Sequence, residues 1–240
     1  MAVSVDTVYQ RVLTLANKEQ RGYITPQEFN LLANQAQMEI FEQYLADLTV
    51  NTKTSGNTEE YSDLLSVLYE KIGIFEIGED ATWIAVNMPD TSGIREIPST
   101  IYKIGTIICR GPISNELVHV EILSSKDYDQ AFQLPLTSPD EQRPLAKITS
   151  KGITIQPTKS NNKIETISFI QRPVKVEWAY VIVNDKALYN DNISVDFQLH
   201  ASEETELVYK ILKLAGINLK AAEIVQVGQA LEQTNKQTTT

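Results

Sequence analysis

Two histidines, one cysteine and a few paired acids are the residues through which this chain could do chemistry. His119 lies within the apolar-rich run Leu117–Leu123, and His200 precedes a C-terminal helical pattern. Neither has a His, Cys or acid beside it at the spacing that a metal site needs, so both read as structural histidines. Cys109 closes the apolar run Ile104–Cys109, where a packed thiol is favoured over a nucleophile, and a lone cysteine excludes an internal disulfide. Asp127, Asp129, Asp140 and Glu141 offer oxygens to Ca²⁺ but lack the alternating ligands and central glycine of an EF-hand loop. The pairs Asp140-Glu141 and Glu203-Glu204 fall in a loop and at a helix start, where solvation and dipole matching account for them. The chain has no Gly-x-Ser-x-Gly, no phosphate-cradling loop and no Gly-x-Gly-x-x-Gly. No catalytic, cofactor-binding or metal-binding residue is therefore assigned; the chain is expected to need no cofactor and not to be an enzyme.

The aromatic residues are a second candidate. Arg172-Pro-Val-Lys-Val-Glu-Trp-Ala-Tyr180 joins a β-rich run to a Trp/Tyr pair, and Trp83 opens an earlier run. Core tryptophans are the favoured reading; the alternative is a stacking platform for glycan or nucleic acid. Asn192-Ile-Ser194 matches a glycosylation acceptor, but the N-terminus lacks the basic and apolar blocks of a secretory signal.

Helical segments are predicted at both ends. Val5, Val8, Tyr9, Val12, Leu13 and Ala16 recur at helical spacing, with Gly22 as a stop. A second, long helix is predicted from Thr25, which caps it, with Pro26 in the first turn, Glu28 completing a capping box and Ile24 with Phe29 as a hydrophobic staple. A third, introduced by Asn57 and Glu60, carries Tyr61, Leu64, Leu65, Leu68 and Ile72 and ends near Gly73. Towards the C-terminus Ser202 is the expected N-cap of a helix with Leu207, Val208, Ile211, Leu212 and Ala215 on its buried stripe and Gly216 as its stop. A short last helix is expected over Asn218–Leu231, followed by a polar tail.

Between these ends the period changes. Seven β-rich runs are read at Trp83–Val86, Ile101–Arg110, Leu117–Leu123, Lys147–Ile155, Lys163–Ile170, Lys175–Val183 and Ile193–Leu199, separated by turn clusters and without helices between them. The predicted fold class is α+β: a helical bundle formed by the N- and C-terminal helices, with an inserted antiparallel β-sandwich or barrel. The boundaries read are 1–80 for the N-terminal helices, 81–199 for the β-module, 200–231 for the C-terminal helices and 232–240 for the tail.

Charge narrows the partners. Of the net −10, residues 1–80 contribute −8, with thirteen acids against five bases. Tight binding to nucleic acid needs clustered Lys and Arg, so it is not expected. A solvated acidic helix face is the favoured reading; a surface that repels DNA or meets a basic partner is the sharper one. No stretch approaches the roughly 20 apolar residues of a membrane span.

Three stretches together resemble one group of proteins. They are Leu15–Leu45; Gly152–Pro157 with Ile170–Pro173 and Trp178–Tyr180; and Asp196-Phe-Gln-Leu-His-Ala-Ser-Glu-Glu-Thr-Glu-Leu-Val-Tyr-Lys-Ile-Leu-Lys-Leu-Ala-Gly216. These are similar to structural proteins of tailed phages of Bacteroidota, especially the short-tailed, crAss-like group. The resemblance implies a virion component: a neck or tail ring, or head-to-tail adaptor, of about twelve copies that connects portal to tail. It implies contacts with the portal protein and other ring proteins, and a lumen through which genomic DNA passes during ejection without sequence-specific binding. Assembly in the host cytoplasm and residence in the virion follow from the same resemblance. The alternative is a non-enzymatic β-sandwich that recognises glycan or peptide through Trp83 or Trp178.

Overall fold

The structure, a computed structural model, describes residues 3–18, 24–53, 59–91, 93–110, 116–157, 163–184 and 186–218. It is mixed α+β, with six α-helices and several antiparallel sheets among the described residues. The chain divides into two compact units, Phe75–Arg172 and the remainder, Met1–Ile74 with Pro173–Thr240. Residues 173–199, which the sequence groups with the β-rich stretch, fall in the same unit as the terminal helices.

The first unit holds α1 (Val5–Lys18), α2 (Pro26–Lys53), α3 (Glu59–Gly73) and α6 (Glu204–Asn218). The apolar spacing is realised: Val5, Val8, Tyr9, Val12 and Ala16 of α1 and Leu207, Val208, Ile211, Leu212 and Ala215 of α6 are all buried. The capping box that starts α2 is formed. Thr25 N–H donates to Glu28 Oε2 at 3.0 Å, Glu28 N–H donates to Thr25 Oγ1 at 3.3 Å, and Ile24 and Phe29 are both buried. These bonds hold the Glu28 carboxyl below its ordinary range. Of the stripe expected on α3, Leu68 and Ile72 are buried; Asn57, Tyr61 and Leu64 lie outside the residues whose side chains are described. Gly22, residues 219–231 and the tail also lie outside the described residues.

The start of α6 differs from expectation. A 3₁₀ turn, Ala201–Glu203, comes first, and its cap is His200, whose Nδ1 accepts from Ser202 N–H at 3.3 Å. α6 then runs through Gly216 to Asn218. Beyond the helices, the described residues of this unit include one hairpin, β10 (Tyr180–Val183) with β11 (Lys186–Tyr189), with Asn184 in its turn at φ 49°.

The described residues of the second unit form two sheets. One is ordered β1 (Glu76–Asp80), β9 (Lys163–Gln171), β4 (Ile101–Arg110), β5 (Leu117–His119), all antiparallel. The other is ordered β2 (Asp90–Thr91), β3 (Ile94–Arg95), β8 (Gly152–Gln156), β7 (Leu145–Thr149), β6 (Glu121–Leu123). In the second sheet β6 and β7 run parallel, a departure from the purely antiparallel module expected. The run Leu117–Leu123 is two strands that change sheet at buried Val120, and Lys147–Ile155 is a hairpin rather than one strand. Its turn needs Gly152: at φ 137° a side chain is disfavoured, and a Cβ would run into the Arg95 carbonyl.

Two short helices stand where none was expected, α4 (Ala81–Asn87) and α5 (Ser125–Ala131). The first replaces the strand predicted at Trp83–Val86. Asp80 caps it, accepting from the Thr82 and Trp83 N–H groups at 3.0 Å each, and Ile84 with Met88 one turn on are buried. Both sheets and α4 contribute to one apolar cluster that includes Ile84, Met88, Ile104, Ile107, Ala146, Ile153, Ile167 and Phe169.

Candidate functional site

Side chains of α2 hold an extended segment, Val174–Trp178, that has no sheet of its own. Asn30 Nδ2 donates to the Trp178 carbonyl at 3.2 Å, and its Oδ1 accepts from Trp178 N–H at 2.8 Å. Asn34 does the same for Val176, at 2.8 and 2.9 Å. Gln37 Nε2 donates to the Val174 carbonyl at 2.8 Å, while its Oε1 accepts from Gln198 N–H at 3.1 Å. The Val174 N–H in turn donates to Gln198 Oε1 at 3.0 Å.

The geometry has a simple origin. Four residues of helix rise about 6 Å and two residues of strand about 6.6 Å, so amides four apart on α2 meet alternate residues of the strand. The last step is only three residues, about 4.5 Å, and there the longer glutamine covers the remaining distance. The other edge of the strand pairs conventionally: Glu177 and Val195 exchange both backbone bonds, at 3.1 and 2.8 Å. Phe197 N–H donates to the Val3 carbonyl at 3.1 Å, and Val5 N–H to Asp196 Oδ1 at 2.8 Å. A small ladder thus joins α2, Val174–Trp178, Val195–Phe197 and the chain start.

Trp178 anchors this ladder. It is 2 % exposed, and its Nε1–H donates to Asp6 Oδ1 at 3.0 Å. Its ring lies 4.2 Å from that of Tyr9 and stacks at 5.8 and 5.7 Å on Tyr180 and Tyr189 at the root of the hairpin. Such burial leaves no face for a glycan or a base, so the Trp178 platform contemplated from sequence is not available. Trp83 stacks on Phe169 at 5.3 Å.

Past Trp178 the surface becomes apolar. Val181 and Val183 of β10 and Leu188 of β11 are each about half exposed (48, 46 and 52 %), and Ile182 is 67 % exposed. Strand alternation puts Val181, Val183 and Leu188 on the face opposite Tyr180 and Tyr189, which Trp178 covers. In the same unit an open groove of about 380 Å³ lies between α1 and α6, lined by Leu15, Val208 and Tyr209 with Arg11, Thr14 and Thr205 among its polar residues.

The other chemistry-bearing residues are occupied locally. Cys109 is 1 % exposed, and burial pushes its thiol up to about 11, far from a nucleophile's range. His119 lies in β5 opposite Ile108, and His200 is the cap already described. Asp127 accepts from Ser124 Oγ at 2.7 Å, Asp129 pairs with Lys147 at 3.1 Å, and Asp140 accepts from the Gln142 and Arg143 N–H groups. Asn192 is exposed and donates its N–H to Asn190 Oδ1. Among the described residues no group of three or more His, Cys, Asp or Glu could hold a metal ion. No helix among them is long and apolar enough to cross a membrane.

The amide ladder was missed from sequence, although Asn30, Asn34 and Gln37 stand in the stretch Leu15–Leu45. Their spacing on one helix face was the available signal. No protein-family model matches the chain, and no curated protein matches it.

Proposed function

We propose that this chain is a virion structural protein, a ring of the neck or tail of a short-tailed phage that connects portal to tail. The observation that carries the reading is the convergence of stretches on which the resemblance rests. Asn30, Asn34 and Gln37 belong to the first, Trp178 to the second, and Phe197 and Gln198 to the third; they meet in one hydrogen-bonded ladder. A scaffold built to fix an extended segment and the apolar hairpin beyond it suits assembly better than turnover. In this reading α1, α2, α3 and α6 form a bundle and the two sheets of Phe75–Arg172 form a sandwich. About twelve copies close a ring through heterologous contacts, and the acidic balance lets DNA slide through the lumen. Portal and neighbouring ring proteins are the partners.

Mass spectrometry of purified particles tests this directly: the chain should be present in roughly portal stoichiometry, and its absence from particles would sink the proposal. Light scattering should find the free protein monomeric or weakly associated, with larger assemblies on addition of the portal.

A further inference from the structure

We propose that the apolar face of the β10–β11 hairpin docks into the α1–α6 groove of a second copy of this chain. The inference rests on the ring reading and names the contact that would build it. A ribbon of two four-residue strands has no core of its own and is marginal in water. Trp178 covers one face of its root, through Tyr180 and Tyr189. The opposite face presents Val181 directly across from Leu188, with Val183 beside them, each about half exposed. No third strand pairs with either edge among the described residues.

The same unit carries a recess of matching character. The α1–α6 groove offers Leu15 and the flank of Val208, with Arg11 among its lining residues, and its roughly 380 Å³ is in the range of clefts that take side chains. An apolar floor with polar residues around it is the anatomy of a protein interface. The charges complement each other too: Asp191 is exposed just beyond β11, and Arg11, about half exposed and paired with Glu204 at 2.9 Å, has five N–H donors with which to meet a second carboxylate. A knob and a hole at different places on one chain make a heterologous contact. That contact repeats from copy to copy until it closes.

The test uses two full-length single variants, Val183→Cys and Leu15→Cys, with Cys109 buried in both. Each is oxidised alone and in an equimolar mixture, at high concentration and in particles assembled from both. The mixture should give an intermolecular disulfide at least about tenfold above either variant alone. Val183→Asp should weaken self-association about tenfold or more without lowering the melting temperature. A disulfide formed equally well by Val183→Cys alone would mean hairpin-to-hairpin pairing and would overturn the proposal. No cross-link in either setting also overturns it; if the chain is then still found in particles, the ring reading survives without this contact.

Discussion

Asn34 sits on a helix, yet its side chain does what a neighbouring strand's main chain would do for Val176. It donates to the Val176 carbonyl, accepts from the Val176 N–H, and sends its second N–H to the Asn30 carbonyl at 2.7 Å. Truncation to alanine removes both partners of a part-buried peptide group, and a buried donor or acceptor left unpaired costs about 1–3 kcal/mol. Asn34→Ala should therefore lower stability by about 2 kcal/mol in urea titration, whereas Gln35→Ala, one residue away, exposed and bonded to exposed Glu39, should stay within about 0.5 kcal/mol. Equal effects of the two would show that the ladder adds nothing to stability. At this scale the sequence was half readable. Thr25 and Glu28 announced themselves because both partners of a capping box lie within four residues. Asn30, Asn34 and Gln37 did not, because their partners are more than 130 residues away and a polar amide on a helix normally faces water.

Elements show the same division between local and distant causes. The buried stripes of α1 and α6 follow from spacing alone, whereas Ala81–Asn87 carries β-prone Thr, Trp, Ile and Val and is helical because Asp80 caps it. The joint of α3 with the turn before α6 is a case in which charge was readable but geometry was not. By sequence Glu203 is a helix-start acid; in the fold it is 4 % exposed and pairs with Lys71, in the last turn of α3, at 2.6 Å. Burial opposes its ionisation, but the hydrogen bond and charge of Lys71, with help from Ser202, outweigh it and hold the carboxyl below its ordinary 4.5. A lowered folded-state pKa means that the unfolded chain takes up the proton first. The stability from this pair is thus fully present above pH 4.5 and is lost as the pH falls through the folded value. Glu203→Gln should flatten that acid limb. Lys71→Met should cost about 3 kcal/mol at neutral pH, since it strands a buried carboxylate. It should also reverse the slope: burial alone raises the Glu203 pKa, so acid would now restore stability. An unchanged acid limb in Lys71→Met would mean that the pair is not coupled to folding.

For the whole molecule, the readable part was that helices come from both chain ends and strands from the middle. What could not be read was where one unit stops, because Lys175–Val183 and Ile193–Leu199 have β-like composition but bond to each other, to α2, to β11 and to the chain start, all within the helical unit. The boundary instead lies at Phe75 and Arg172. There the Gln171 N–H donates to the Phe75 carbonyl at 2.8 Å, and β1 and β9 run antiparallel from that point, so the chain enters and leaves the second unit side by side. Ends so close can be joined by a hairpin-length connection of two to five residues. Deleting 75–172 and bridging Ile74 to Pro173 with a short Gly-Ser linker should therefore leave a folded protein. Each unit carries one of the two tryptophans, Trp83 in the second and Trp178 in the first, which gives each a private reporter. The shortened chain should melt cooperatively with the blue-shifted emission of a buried indole, because Tyr9, Asp6 and the α2 amides that enclose Trp178 are all retained. Emission of a solvent-exposed indole, or melting without cooperativity, would mean that the amide ladder cannot hold its strand without the inserted unit.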